Sequence, residues 1–445
     1  MKKAFYLLFA VFFAVLLGGG EFRVAATADI HGNLWNLAAL APAIRAAKPD
    51  IIVDAGDLIG GNAAAEYDGG RAMIEALDLL HCAFRVPGNH DFETPHAAFC
   101  EAFRRFRGVM LGNDWQWGKG ISGAPFRIVT KGRFRCAVIG LTEPDLQRRF
   151  LPGGESPRFF PWEETLKRTL AELRRQQVHF ILLVWHNGID SRPGGVAAVI
   201  RNFPEINAVV AAHSHKEEPG RKLGNCYVIQ PGAYALSAGV LRIVFDDRSG
   251  RAERIESELL RGDRSRPAGD LAALARKSSS RWYAMGNRKI CRKGELGPRR
   301  FPGLAAQALA AAGNTPGAVF SCRTPNREAE EQETFMALHR LIPFRNMLCT
   351  MELTKDELRA LMEELSRGAA RFGRSVAVCG FTWQSGGKRR SGFFRAPERL
   401  RVTLSDYTMV SSPTLRRVMG ERPGCWQPLR KVEHDAVAEF LSSRR

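Results

Sequence analysis

The chain has 445 residues, 45% of them hydrophobic and 25% charged, which excludes a disordered, collagen-like or small disulfide-held protein and leaves room for two or three domains. Lys and Arg number 65 against 46 Asp and Glu, a formal charge of +19, which favours anionic partners. Charge alone leaves phosphorylated substrates, nucleic acid, anionic lipid and a merely solvated basic surface all open.

The N-terminus opens with Met1-Lys2-Lys3, an apolar run from Ala4 to Leu17, and Gly18-Gly19-Gly20. A run this short fits a secretory signal over 1–20 better than a membrane span, an uncleaved anchor being the alternative. No later stretch is long and apolar enough to span a bilayer, and the expected location is the periplasm or outside the cell.

Further along, Phe22–Ala28 reads as a strand running into Asp29-Ile30-His31-Gly32, and Leu34–Ala47 as a helix. Asp50–Ala55 is a buried strand ending at Gly56-Asp57, Arg71–Leu80 a helix, and Cys82–Val86 a strand ending at Pro87-Gly88-Asn89-His90-Asp91. Arg135–Leu141 is a strand and Glu163–Gln177 an amphipathic helix. Val178–Trp185 ends at His186-Asn187-Gly188, and Ala208–Ala212 at His213-Ser214-His215. Tyr227–Gln230 and Val240–Phe245 complete an α/β layer pattern. Residues 247–299 read as a linker, with at most a short helix at Leu271–Arg276, and an α+β unit follows to the C-terminus.

Asp29, Asp57, Asn89, His186 and His213 each fall just after an apolar strand, the edge at which open α/β sheets bind ligands. Asp29 and His31, two apart, are expected to leave one face of an extended strand end. Eight of the ten histidines lie within the first 215 residues, which places the chemistry there. Imidazole nitrogens mixed with carboxylate and amide oxygens suit two adjacent divalent ions, Mn, Zn or Fe rather than Mg or Ca. Such a pair clamps the attacking and leaving oxygens of a displacement at phosphorus. Nine cysteines without a C-x-x-C pair argue against zinc knuckles and thioredoxin-like redox motifs, and Cys136, Cys226 and Cys379 read as small core residues.

D-x-H at Asp29–His31, G-D at Gly56–Asp57, G-N-H-D at Gly88–Asp91, H-x-G at His186–Gly188 and H-S-H at His213–His215 resemble the calcineurin-like metallophosphoesterases. With the signal segment and a second domain, the chain is similar to their 5′-nucleotidase family, which includes UDP-sugar hydrolases and 2′,3′-cyclic nucleotide phosphodiesterases. The resemblance implies a four-layer α/β/β/α catalytic domain over 21–246 and a smaller, degenerate α+β substrate domain over 300–445. It implies Asp29, His31 and His215 on one metal, Asn89, His186 and His213 on the other, and Asp57 as the bridge. His90 takes the place of the catalytic histidine; Glu93 stands at its usual acidic partner's position, with Asp91 nearby.

In the second domain Pro343-Phe344-Arg345-Asn346 resembles the family's P-F-x-N segment, and Tyr407–Ser412 a late family strand. The family's G-G-I-R is missing, so Arg323 or Arg327 is the candidate for its arginine. Of its two base-stacking aromatics, Phe344 and Phe381 are the candidates, Phe381 and Trp383 reading more readily as strand packing. The expected substrate is a small phosphorylated compound, a nucleotide first, hydrolysed with poor base discrimination. Cyclic or sugar nucleotides are the alternative. No stable nucleic-acid partner is expected, although a nuclease on the same domain, or a binding protein that has lost its activity, is the competing class.

Overall fold

The structure is a computed structural model that describes residues 20–118, 120–151, 156–190, 195–265, 267, 269–384 and 393–445. Apart from Gly20, the expected signal segment lies outside the described residues. The chain divides into two compact units. The first holds residues up to Phe92, His96–Asp145 and Arg158–Arg276; the second holds Glu93–Pro95, Leu146–Pro157 and Lys277–Arg445.

The first unit is built on β1 (Gly20–Thr27), β2 (Ile51–Asp54), β3 (Cys82–Arg85), β4 (Val109–Met110), β5 (Phe126–Lys131), β6 (Phe134–Leu141), β7 (Phe180–Trp185), β8 (Ala208–Val210), β9 (Glu218–Leu223), β10 (Cys226–Gln230), β11 (Ala238–Phe245) and β12 (Ala252–Leu260). Among the described residues these form two six-stranded sheets, ordered β12-β11-β1-β2-β3-β4 and β9-β10-β8-β7-β6-β5. The central pairs β1–β2, β2–β3, β6–β7 and β7–β8 are parallel. Their sequences are near-continuous apolar runs, such as Ile51-Ile52-Val53 and Phe180 to Trp185, because both faces of each strand are covered.

Phe22, Val24, Val53, Val138, Leu182, Val210 and Ile243 fill the core between the sheets. On the outer face of the first sheet, Leu37, Leu40 and Ile44 of helix Leu34–Ala46 pack with Met73, Ile74 and Leu77 of helix Arg71–Leu79. Leu166, Leu170 and Leu173 of helix Trp162–Leu173 cover the second sheet with Val196 and Val199. The result is a four-layer α/β/β/α unit.

The second unit carries β13 (Gly317–Arg323), β14 (Met347–Thr354), β15 (Arg374–Cys379), β16 (Arg399–Ser405) and β17 (Trp426–Val432) in one sheet, ordered β15-β13-β16-β14-β17. Helix Lys355–Phe372 starts at a capping box, Thr354 with Glu357, and stops at Gly373 in the left-handed region. It buries Leu358, Leu361 and Met362 against Val402 and Leu404.

Three readings differ from the structure. The expected linker 247–299 contains β12, paired antiparallel with β11, and a helix over Gly269–Gly286. β12 shows little apolar signal because much of it is exposed. The helix runs through Ser278-Ser279-Ser280, poor helix formers, yet Leu271, Ala272, Leu274 and Ala275 are buried, and burial outweighs that weak local preference. Tyr407–Ser412 is not strand: Asp406–Ser411 is a helix whose N-cap Ser405 accepts a hydrogen bond from the Thr408 amide, and the strand ends just before it.

Phe134 stacks on Phe245 at 4.6 Å and meets Phe22 at 5.3 Å and Phe180 at 5.9 Å, all buried between the sheets. Phe134→Ala is therefore expected to lower stability by about 3–5 kcal/mol in denaturant unfolding. In the second unit, burial pushes Asp406 and Glu433 up to about 7. Between pH 4 and 7 the native state then holds protons that the unfolded chain has released, so stability falls as pH rises. Each group contributes at most about 1.4 kcal/mol per pH unit, and Asp406→Asn with Glu433→Gln should flatten the slope in a pH series of melting curves.

Candidate metal centre

The loops that follow β1, β2 and β3 in one sheet and β7 and β8 in the other bring Asp29, His31, Asp57, Asn89, His186, His213 and His215 together. The first two loops run side by side: the amides of Asp29, His31 and Gly32 donate to the carbonyls of Gly56, Asp57 and Leu58 at 2.9, 2.9 and 2.8 Å. Asp29 and His31 have φ of 49° and 48°, so it is a left-handed turn, not strand alternation, that aims both side chains inward. Asp57, His213 and His215 share that strained region. Gly56, at φ +99°, has no room for a side chain: a Cβ there would meet the Gly88 nitrogen at 2.6 Å and His186 Nδ1 at 2.7 Å.

Asp29, His31 and His215 form one donor group and Asp57, His186 and His213 another, each with its ligand atoms within 4.8 Å of one another. His31 Nε2 lies 3.0 Å from His215 Nε2, and Asp29 Oδ1 lies 3.7 Å from the latter. In the second group His186 Nε2 is 3.2 Å from Asp57 Oδ2 and 3.2 Å from Asn89 Oδ1, which in turn is 3.0 Å from His213 Nδ1. Asp57 Oδ2 is also 3.8 Å from His31 Nε2, so one carboxylate oxygen reaches toward both groups.

Backbone carbonyls set the histidine tautomers. His31 Nδ1 donates to Gly60 O at 2.6 Å and His186 Nδ1 to Ala55 O at 2.7 Å, which leaves each neutral ring's Nε2 as a lone pair. His31 Nε2 faces His215 Nε2 at 3.0 Å and His186 Nε2 faces carboxylate and amide oxygens at 3.2 Å, contacts that need a proton or a cation among them. The residues present therefore fit divalent metal ions.

The electrostatics agree. Burial pushes the Asp29 carboxyl up to about 7, against the pull of His186. Burial also works upward on Asp57, but His186, with His90 and His31, holds it well below the usual carboxylate range. Burial works downward on His186, and Asp57 outweighs it, raising the imidazole to about 10. A divalent cation held by this group would compete with that proton for the same nitrogen.

Two buried networks support the ligands, and neither is anticipated from the sequence. Arg85, buried at the end of β3, sits 3.4 Å from Asp54 and 2.6 Å from Asp91. The Asp91 carboxylate accepts from the amides of Gly88 (2.9 Å), Asp57 (3.1 Å) and Ile59 (3.3 Å), so it fastens two ligand loops. Thr142 uses all three of its polar groups. Its amide donates to Asp114 Oδ2 at 2.8 Å, its hydroxyl donates to Pro87 O at 2.7 Å, and its carbonyl accepts from the Trp185 indole at 2.9 Å. Pro87 leads to Asn89 and Trp185 precedes His186, whose Nε2 lies 3.2 Å from Asn89 Oδ1. An arginine inside an apolar strand, F-R-V, is the one visible signal; the Thr142 contacts join residues far apart in the chain.

His90 is half-buried; its amide donates to Asp57 Oδ1 at 2.8 Å and its ring lies 5.3 Å from that of His31. Glu93 belongs to the second unit. There Arg323 ends β13 and Arg327 opens a short helix, both exposed. Phe344 is exposed, whereas Phe381 packs against the core with Phe394 at 6.2 Å. Trp383 likewise packs inward, its indole donating to Ser366 at 3.0 Å.

Residues 22–217 match the family described as calcineurin-like phosphoesterase. A 2′,3′-cyclic-nucleotide 2′-phosphodiesterase/3′-nucleotidase of Yersinia enterocolitica is 23% identical over 289 residues, 52% of this chain and 44% of that protein. The protein of the same name from Haemophilus influenzae is 21% identical over 246 residues, 45% of this chain and 37% of its own. The chain thus spans less than half the length of the curated relatives it matches. A putative 5′-nucleotidase from Staphylococcus aureus superposes with a TM-score of 0.70 at 16% identity, over 95% of this chain and 97% of that one. A 5′-nucleotidase precursor from Thermus thermophilus gives 0.60 at 18%, over 96% and 97%. At such identities the likeness is one of fold.

Thr142→Val removes the hydroxyl that holds Pro87. It is expected to weaken the second metal group by about 10- to 100-fold while Thr142→Ser retains it. Calorimetric titration with Mn should show one tight equivalent in place of two; two tight equivalents in the Val variant would contradict this role.

Proposed function

We propose that this chain, whose residues 22–217 form a calcineurin-like phosphoesterase domain, is a two-metal hydrolase of phosphate esters that acts on nucleotides outside the cytoplasm. The observation that carries the reading is Asp57 Oδ2, 3.2 Å from His186 Nε2 and 3.8 Å from His31 Nε2, a single carboxylate oxygen between two groups of donors. Bound divalent ions would supply Lewis-acid charge at the phosphoryl oxygens. Asp29, His31 and His215 would hold one, and Asn89, His186 and His213 the other, with Asp57 between the two groups. His90, fixed by its amide to Asp57, stabilises the phosphoryl charge and passes a proton to the departing oxygen.

Nucleotides are favoured by the names of the curated relatives and of the structural neighbours. The exposed Arg323 and Arg327 suit an anionic ligand, and the exposed Phe344 offers a face to a base. With Phe381 packed inward, base discrimination should be weak, so adenosine monophosphate and ribose 5-phosphate are expected to be used with similar efficiency. The curated relatives' names support a second reading, hydrolysis of 2′,3′-cyclic nucleotides. Export rests on the composition of residues 1–20; among the described residues no helix is long and apolar enough to cross a membrane. Sequencing the N-terminus of the natural protein tests it.

The central test is phosphate release from nucleoside monophosphates and cyclic nucleotides with Mn supplied. Asp57→Asn is expected to lower turnover by about 100-fold or more, since a ligand common to both metals is lost. Full activity with two metals retained in that variant would overturn the assignment.

A further inference from the structure

Most of the donors are closed off from solvent: Asp29, Asp57, His186, Asn89 and His31 are all buried. His213 and His215 are the exceptions, with side chains 28% and 36% exposed. A ligand therefore reaches the metals on their side. Tyr234 borders that opening. Its ring centroid is 5.3 Å from that of His215 and 5.4 Å from that of His31, and the residue is 43% exposed.

The backbone of Tyr234 is as unusual as its place. It lies at φ 58°, ψ 27°, and Ala235 follows at φ 52°, two consecutive non-glycine residues in the left-handed region. A bulky side chain there is strained, and glycine would relieve the strain. The conformation is imposed from both sides: the Tyr234 amide donates to the Asp29 carbonyl at 2.7 Å, and Asn36 Nδ2 donates to the Tyr234 carbonyl at 2.8 Å. Leu236, two residues on, and Trp35, beside Asn36, are also exposed large apolar residues. A half-exposed aromatic ring kept at a costly backbone position, against two metal-binding imidazoles, points to contact with the ligand.

We propose that Tyr234 is a specificity-determining residue: its ring is the wall against which the group joined directly to the phosphoryl oxygen packs. It favours ring-bearing esters, pentose or aryl, over short linear ones. The inference rests on the phosphoesterase reading of the site, and concerns the first unit alone, apart from any base contact through Phe344.

Phenylphosphonate and methylphosphonate test it, because both are phosphonate anions that are not hydrolysed and only the first bears a ring. The full chain loaded with Mn is titrated with each by calorimetry. Phenylphosphonate is expected to bind about three- to tenfold more tightly, the scale of one aromatic contact. Tyr234→Gly should abolish that preference, Tyr234→Phe should keep it, and the Gly variant should hold two metals with a melting temperature no lower than that of the wild type. A preference that survives in Tyr234→Gly, or one absent from the wild type, overturns the proposal. Loss of metal in the Gly variant also overturns it, since Tyr234 would then merely support the ligands. Failure of the metal-loaded wild type to bind either phosphonate overturns the phosphoesterase reading instead.

Discussion

Crowding of nitrogen and oxygen donors into one small space is the constraint around which the first unit is organised. His31 Nε2 and His215 Nε2 meet at 3.0 Å, and His186 Nε2 faces two oxygens at 3.2 Å, so each contact needs a shared proton or a cation. No flexible loop would hold such groups together, because each would turn toward water. They stay because every ligand loop leaves a buried parallel strand, and because the inter-sheet core locks the two sheets face to face. The left-handed residues at Asp29, His31, Asp57, His213 and His215 are local strain borne for the same purpose, with the scaffold over-determining the conformation.

The supporting polar networks carry this logic outward from the donors. Arg85 balances two carboxylates deep in the first sheet, an arrangement whose loss would leave an uncompensated charge in a dry interior. Thr142 works without charge: three hydrogen bonds from one small residue tie the loop carrying Asn89 to the strand that delivers His186. The two devices share the loop after β3 and tie it in different directions. Asp91 joins the turns after β2 and β3, whereas Thr142 joins one sheet to the other.

Much of this is legible from residue order. Apolar runs such as Ile51-Ile52-Val53 and Phe180 to Trp185 announce strands, and a polar donor just after each announces the ligand edge. What stays hidden is of two kinds. Edge strands such as β5, β9 and β12 expose much of their length, so they lack an apolar signature. Contacts such as Thr142 to Pro87 or Tyr234 to Asp29 join residues 55 and more positions apart, and no local pattern marks them. The second unit is the least legible, because Ser405 starts a helix at the point where apolar Met409 and Val410 suggest continued strand.

The Asp91 carboxylate has one further consequence. It accepts from amides at Asp57, Ile59 and Gly88, which lie on two separate loops. Freeing any one of them to solvent requires the same buried carboxylate to move, with Arg85 held at 2.6 Å behind it. Hydrogen exchange at these three amides is thereby expected to proceed through shared openings, the two loops behaving as one foldon despite their separation along the chain.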